Sequence, residues 1–222
     1  MLKLTVILLI SFDLMLATIF WPAGSFYWLH GWLYMGLLFT FTIINVVYII
    51  KVNPELIEHR LKIGKGTKRW DKVWFVFFTP VFLAIYVTAG FDAVRFEWST
   101  MTLWLYMPGI SLFVVGTLLL SWSMGVNPFF EKTVRIQVER GHRVIDTGPY
   151  RYIRHPGYVG FACWILSTPL LLGSWWAFIP SVISIAALII RTSFEDRTLR
   201  EELDGYIEYA ERVRYRLIPN VW

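Results

Sequence analysis

The chain has 222 residues, of which 56% are apolar, 18% aromatic and only 17% charged, with a mean hydropathy of +0.53; a soluble domain carries about 25% charged residues, so this composition excludes one and implies an integral membrane protein. The formal charge of +5 does not point to nucleic acid, because the basic residues lie between apolar runs rather than along one face. The single cysteine, Cys163, sits in an apolar run, which rules out an intrachain disulfide and disfavours a thiolate nucleophile.

Apolar runs at about 4–22, 30–50, 72–91 and 102–123 each match the roughly 20 residues that cross a hydrocarbon core of about 30 Å. Lys3 before the first run resembles the start of a signal peptide. That run leads into Trp21-Pro22 without a small-x-small cleavage site, so it is expected to stay as the first helix. Two shorter runs follow, at about 157–173 and 175–190, separated by Gly173-Ser174, with Pro169 near the end of the first. They are expected to form a tight helical hairpin. The predicted fold is all-α: a polytopic transmembrane bundle of about six apolar helices. Four lie in a part spanning 1–124, and 125–222 carries a loop, the hairpin and a polar tail.

The charges check this count. With six crossings, one side of the membrane collects Lys3, then Lys51, Arg60, Lys62, Lys65, Lys68, Arg69 and Lys72, then Lys132, Arg135, Arg140, Arg143, Arg151 and Arg154, then the arginines from Arg191 onward. Only Arg95 falls on the other side. Such a bias predicts that both termini and the polar loops face the cytosol, in the cytoplasmic membrane. No internal repeat or low-complexity linker interrupts the pattern.

The polar mass is therefore on one face, in 51–71, 125–156 and 192–222. The stretch VRIQVERGHRVIDTGPY, 134–150, alternates Val134, Ile136 and Val138 with polar residues and turns at Arg140-Gly141, which predicts an extended loop. In the tail, Phe194, Leu199, Leu203, Tyr206 and Tyr209 fall near helical spacing, so the last span is expected to continue as one amphipathic cytosolic helix. Pro219 is expected to end the ordered chain.

Two polar groups stand at the mouths of the hairpin. Arg154-His155-Pro156, with Tyr158, lies at the entrance of the fifth span, behind the Gly148-Pro149 turn. These side chains could merely anchor headgroups, but a topogenic loop needs only charge and has no use for a histidine framed by Pro and Tyr. Arg191 and Glu195 are spaced i, i+4 at the end of the sixth span, beside Asp196. A structural ion pair is one reading; a functional pair is the other, since charges at a membrane boundary are costly. Both groups are expected to face a cytosolic pocket roofed by the loop 134–146.

The segment GHRVIDTGPYRYIRHPGYVG, followed by RTSFEDRTLREEL and YIEYAERVRYRLIP, resembles the isoprenylcysteine carboxyl methyltransferase and phospholipid methyltransferase superfamily of integral membrane enzymes, over about 127–219. NPELIEHRLK after the second span is similar to bacterial and archaeal members. The resemblance implies that S-adenosylmethionine is the cofactor, with its adenine end at His142, Arg143, Val144 and Ile145 and its nucleoside against Tyr150. It further implies that His155, Pro156, Gly157 and Tyr158 wrap the methionine part, that Glu195 binds the amino group, and that Gln137 makes a further contact. Arg191 matches the position that contacts the acceptor, and Asp196 stands where a Glu is usual.

Methyl transfer from a sulfonium needs alignment and exclusion of water, and requires no metal or nucleophilic side chain. A carboxylate acceptor needs a cation, which Arg191 could supply; an amine would need a base such as His155. Arg191 favours a carboxylate on a lipid-like or prenylated acceptor drawn from the membrane. Membrane sterol reductases, which bind NADPH, share an Arg-His-Pro-x-Tyr-x-Gly segment and an ending like VRYRLIPNVW. They usually carry an acidic residue where this chain has Phe161. A reductase of that kind and a non-catalytic lipid-binding protein are the alternatives.

Overall fold

A computed structural model describes residues 2–61 and 64–222; Lys62 and the side chain of Lys3, both used in the charge count, lie outside them. Helices α1 (Leu2–Ala23), α2 (Leu29–Val52), α4 (Arg69–Gly90), α5 (Tyr106–Val126) and α7 (Phe178–Glu202) are long and apolar enough to span a membrane, and α6 (Pro156–Leu172) is a shorter apolar helix of 17 residues. The chain is an all-helical integral membrane protein. Two short helices, α3 (Pro54–Arg60) and α8 (Tyr206–Arg212), lie at the polar end. Pro54 opens α3, where a missing N–H costs nothing.

Helices in lipid gain nothing from excluding water, so close packing of small residues must hold them together. Gly116 on α5 and Gly160 on α6 supply this contact: a Cβ on either would stand 2.6 Å from the other's carbonyl oxygen. Gly90 on α4 meets α1 in the same way, with its virtual Cβ 2.8 Å from the Ala23 nitrogen. Deeper in the bundle the Tyr34 hydroxyl joins the Tyr86 hydroxyl at 3.1 Å, Thr168 Oγ1 at 3.2 Å and the indole N–H of Trp164 at 3.1 Å. Every polar atom of that buried group therefore has a partner.

The end away from the polar loops carries exposed Trp21, Tyr27, Trp98, Trp104, Trp175 and Trp176, an aromatic belt of the kind found at a membrane interface. Here α4 finishes in a π turn, Phe91–Arg95, that turns Asp92 inward. Its Oδ2 accepts from Ser99 Oγ at 2.7 Å, Ser174 Oγ at 2.6 Å and the Trp176 N–H at 3.2 Å, fastening the loop before α5 to the α6–α7 turn.

The hairpin forms where expected: Gly173 takes the left-handed conformation, φ 72°, and ends α6. The loop 134–146 is extended apart from one 3-10 turn at Val138–Arg140, closed by Gly141. The tail differs from expectation. It is not one helix, because α7 stops at Glu202 and Gly205, at φ 77°, starts α8 in a new direction. The break lets Leu203, Tyr206, Tyr209, Ala210 and Val213 pack into a small core of their own. Order also continues past Pro219, since the N–H groups of Arg216, Leu217 and Ile218 all point at the Trp222 carbonyl.

A methyl group at Gly160 has no room between Gly116 and Leu120. Gly160→Ala should lower stability by about 1–3 kcal/mol, as overpacking does, and depress the melting temperature of detergent-purified protein. Gly36→Ala, which meets nothing within 4 Å, should leave it in place or raise it.

Candidate active site

The entrance to α6 is held by backbone bonds from the C-terminal segment: the Arg154 N–H donates to the Tyr215 carbonyl and the His155 N–H to the Arg216 carbonyl, both at 2.9 Å. Pro156 then fixes the first helical φ. Gly157 is needed because a Cβ there would lie 2.5 Å from the Phe130 ring.

Beneath this entrance lies Asp196, fully buried. Its oxygens accept from Arg154 Nε at 2.7 Å, Tyr206 Oη at 3.0 Å, Arg216 Nε at 2.9 Å and Arg200 Nε at 3.1 Å, with His155 Nε2 at 3.3 Å. Arg154 also donates to the carbonyls of Val213 and Arg214. Asp196 thus joins the α6 entrance to α7, α8 and the C-terminal segment. So many partners could not be read from spacing, because they come from four separate stretches.

The second cluster differs from expectation. Among the described residues Arg191 pairs not with Glu195 but with Asp71 at the start of α4, Nε to Oδ1 at 2.8 Å. Asp71 is itself fully buried and takes the Val134 N–H at 2.7 Å. It has no other way to compensate its charge, whereas Glu195 accepts a short hydrogen bond from the Tyr158 hydroxyl. The rest of the Arg191 guanidinium donates to Tyr158 Oη and to the Lys132 carbonyl, both at 2.7 Å, and lies 4.7 Å from the Trp74 ring centroid. One N–H, on Nη1, is left over. Glu195 also stands 3.9 Å from His155 Nδ1, so Arg191, Tyr158, Glu195 and His155 form one connected row.

The loop closes the row from above. Gln137 donates to the Phe129 carbonyl and accepts from Arg140, so its amide holds the loop itself together. The His142 ring lies against Phe129, and Nδ1 accepts the Gln137 N–H. Burial, with Arg135 beside it, lowers the His142 pKa to about 4, so the ring is neutral at pH 7. Tyr150 is fixed by Asn127 and by the Tyr209 hydroxyl, which donates to the Tyr150 carbonyl; burial raises its phenol pKa.

These elements enclose a cavity of about 370 Å³. Gln137, His142, Arg143, Val144, Ile145, Tyr150, His155, Gly157, Tyr158, Arg191 and Glu195 all line it. Pro156 does not; it is buried at the start of α6. The cavity also has an apolar end that the sequence reading missed, built from Trp74, Phe75, Phe78, Phe130, Phe161 and Trp164, with Arg60 and Lys132 beside it. Asp71, one turn into a span beside Trp70 and Trp74, carried the only available signal: a carboxylate at a membrane boundary.

Residues 109–201 match the isoprenylcysteine carboxyl methyltransferase (ICMT) family. The matched segment is less than half of the chain. The segment covers most of α5, the roofing loop, α6 and α7 as far as the two clusters. A protein-S-isoprenylcysteine O-methyltransferase of Schizosaccharomyces pombe is 32% identical over 91 residues, covering 38% of this chain and 36% of that protein. The enzyme of that name from Homo sapiens is 31% identical over 120 residues, covering 50% of this chain and 40% of that protein. The chain therefore matches well under half the length of these relatives. A solved structure of the eukaryotic intramembrane Ras methyltransferase ICMT aligns over 85% of this chain and 65% of that one, at a TM-score of 0.56 and 19% identity. The likeness shows that the ICMT fold extends beyond the matched segment into the N-terminal helices.

Because the folded state holds His142 neutral while the unfolded state protonates near pH 6.5, the unfolded state binds more protons between these values. This contribution to stability is complete above pH 6.5 and is lost as pH falls toward 4. The melting temperature should fall across that window, and His142→Gln should lessen the fall; an unchanged slope would show that His142 titrates freely.

Proposed function

We propose that this chain is an S-adenosylmethionine-dependent methyltransferase that acts at the membrane on a lipid-like or prenylated acceptor carrying a carboxylate. The observation that carries the reading is one cavity with a polar end under the loop and an apolar end among α4, α5 and α6, meeting at Arg191, Tyr158 and Glu195. A polar nucleoside and an apolar chain can occupy the two ends and bring their reacting atoms together between them. The names of the relatives support the same reaction class, and the matching segment holds Arg154, His155, Tyr158, Arg191, Glu195 and Asp196.

The residues fit the cofactor. Glu195 is partly open to the cavity, with its side chain 23% exposed, and can take an ammonium group while Tyr158 and His155 orient it. His142, Val144 and Ile145 offer a neutral and largely apolar wall for a purine, with Arg143 beside them. Tyr150, clamped from both sides, gives a rigid surface for the sugar. S-adenosylmethionine supplies an electrophilic methyl group on a sulfonium, so the chain has mainly to align two ligands and keep water out. Arg191, held by Asp71, has one N–H left to offer an acceptor.

The orientation belongs to the same proposal. Lys51, Lys68, Arg69, Lys72, Arg140 and Arg151 sit at the pocket end and Arg95 at the other, a bias that supports a reading with the pocket and both termini in the cytosol and the chain in the cytoplasmic membrane.

S-adenosylhomocysteine should stabilise the purified protein by about 2.7 kcal/mol at a hundredfold excess over Kd, and NADPH should not; the reverse pattern would transfer the reading to a reductase. Glu195→Gln should weaken cofactor binding by about 1.5–3 kcal/mol, the loss of a charge-assisted bond. Titration calorimetry on parent and variant measures this, and equal affinities would mean that Glu195 only positions Tyr158.

A further inference from the structure

Apart from Glu195, the carboxylates around the cavity are committed to arginines. Asp71 neutralises Arg191, Asp196 neutralises Arg154, and Glu131 holds Arg135 through two bonds of 2.8 Å. Two cations at the apolar end have no such partner. Arg60 is half-buried, and among the described residues its guanidinium donates one hydrogen bond, from Nη1 to the Phe130 carbonyl, at 3.0 Å. Its guanidinium lies 5.5 Å from the centroid of the Phe130 ring. Lys132 lines the same cavity next to Arg191, which is bonded to its carbonyl. Among the described residues no carboxylate lies within ion-pair distance of Arg60 or of the Lys132 ammonium. Burial and Arg191 bring the Arg60 pKa down to about 10 against the opposing effect of Glu131, and partial burial and Arg60 lower that of Lys132, which keeps an exposed side.

A half-buried cation beside an apolar cavity, with a second cation at its side, is stabilised when an anion joins the two. Arg191 cannot play this part alone, since Asp71 cancels its charge and leaves it one N–H. Resting on the methyltransferase reading above, we propose that Arg60 and Lys132 form the cradle that selects and holds the acceptor's carboxylate, its chain lying among Trp74, Phe75 and Phe130. The cradle would repel an ammonium and so discriminates against amine acceptors. In the reaction, a carboxylate oxygen forms a bond to the methyl carbon as the carbon–sulfur bond breaks, and the sulfur keeps that electron pair. The sulfonium and the carboxylate lose their charges together, giving a neutral ester and a neutral thioether with no proton to move. The ester then has no charge for Arg60 and Lys132 to hold, which favours its release.

The test uses the whole detergent-purified chain, N-acetyl-S-farnesylcysteine as the acid probe and its methyl ester as the matched neutral probe. If S-adenosylhomocysteine fails to stabilise the parent, the methyltransferase reading falls and this inference with it. If it does stabilise the parent, the parent should bind the acid more tightly than the ester. Arg60→Gln and Lys132→Met should each weaken the acid by about tenfold to a hundredfold, as loss of a charged hydrogen bond does, and leave the ester nearly unchanged. The S-adenosylhomocysteine shift should stay as in the parent, which also shows that the variants fold, and Lys132→Arg should restore the preference. Variants that keep the acid preference would overturn the proposal. So would variants that lose S-adenosylhomocysteine affinity instead, because the two cations would then serve the cofactor's own carboxylate.

Discussion

A buried carboxylate holds the polar end of this protein together. Asp196 is closed off from solvent and surrounded by Arg154, Arg200, Arg216, His155 and Tyr206. A carboxylate taken out of water is tolerable only with this many donors, and here the donors come from the entrance of α6, from α7, from α8 and from the C-terminal segment. Satisfying one charge therefore draws four pieces of chain to one point. His155 is then fixed between Asp196 and Glu195, and the row leading to Tyr158 and Arg191 follows from its position.

The cavity works because it joins two media. Its roof is loop, with backbone and side-chain amides engaged one by one; its floor is aromatic, with Trp164 tied by its indole N–H to Tyr34. Only helices whose ends stop at the membrane surface can offer both. α7 makes this possible by running on as a single helix to Glu202, carrying Arg191 and Glu195 clear of the apolar half of its own length.

The apolar runs were readable because their length is set by the bilayer, and the hairpin because Gly173 marks its turn. The clusters at 154–158 and 191–196 stood out as charges at membrane boundaries. What they touch was hidden. Arg191 and Glu195 share one helix face, so spacing suggested a pair, but spacing cannot register Asp71, 120 positions earlier. The break at Gly205 was missed for a similar reason: Leu203, Tyr206 and Tyr209 keep helical spacing across it, and it is their packing against one another, not their period, that turns the chain. The apolar end of the cavity was invisible because aromatic residues in a span look alike whether they face lipid, a neighbour or a pocket.

Asp92 does at the far end of the molecule what Asp196 does at the near one, gathering Ser99, Ser174 and Trp176 around a buried carboxylate. The bundle is thus riveted at both rims, while among the described residues its waist relies on van der Waals contact, the Tyr34 knot and single hydrogen bonds such as Asn45 to Ser121 and Trp74 to the Ala187 carbonyl. Lipid competes for those contacts almost on equal terms. Fastening at the rims therefore has to hold the helix ends, and with them the polar clusters, in registry.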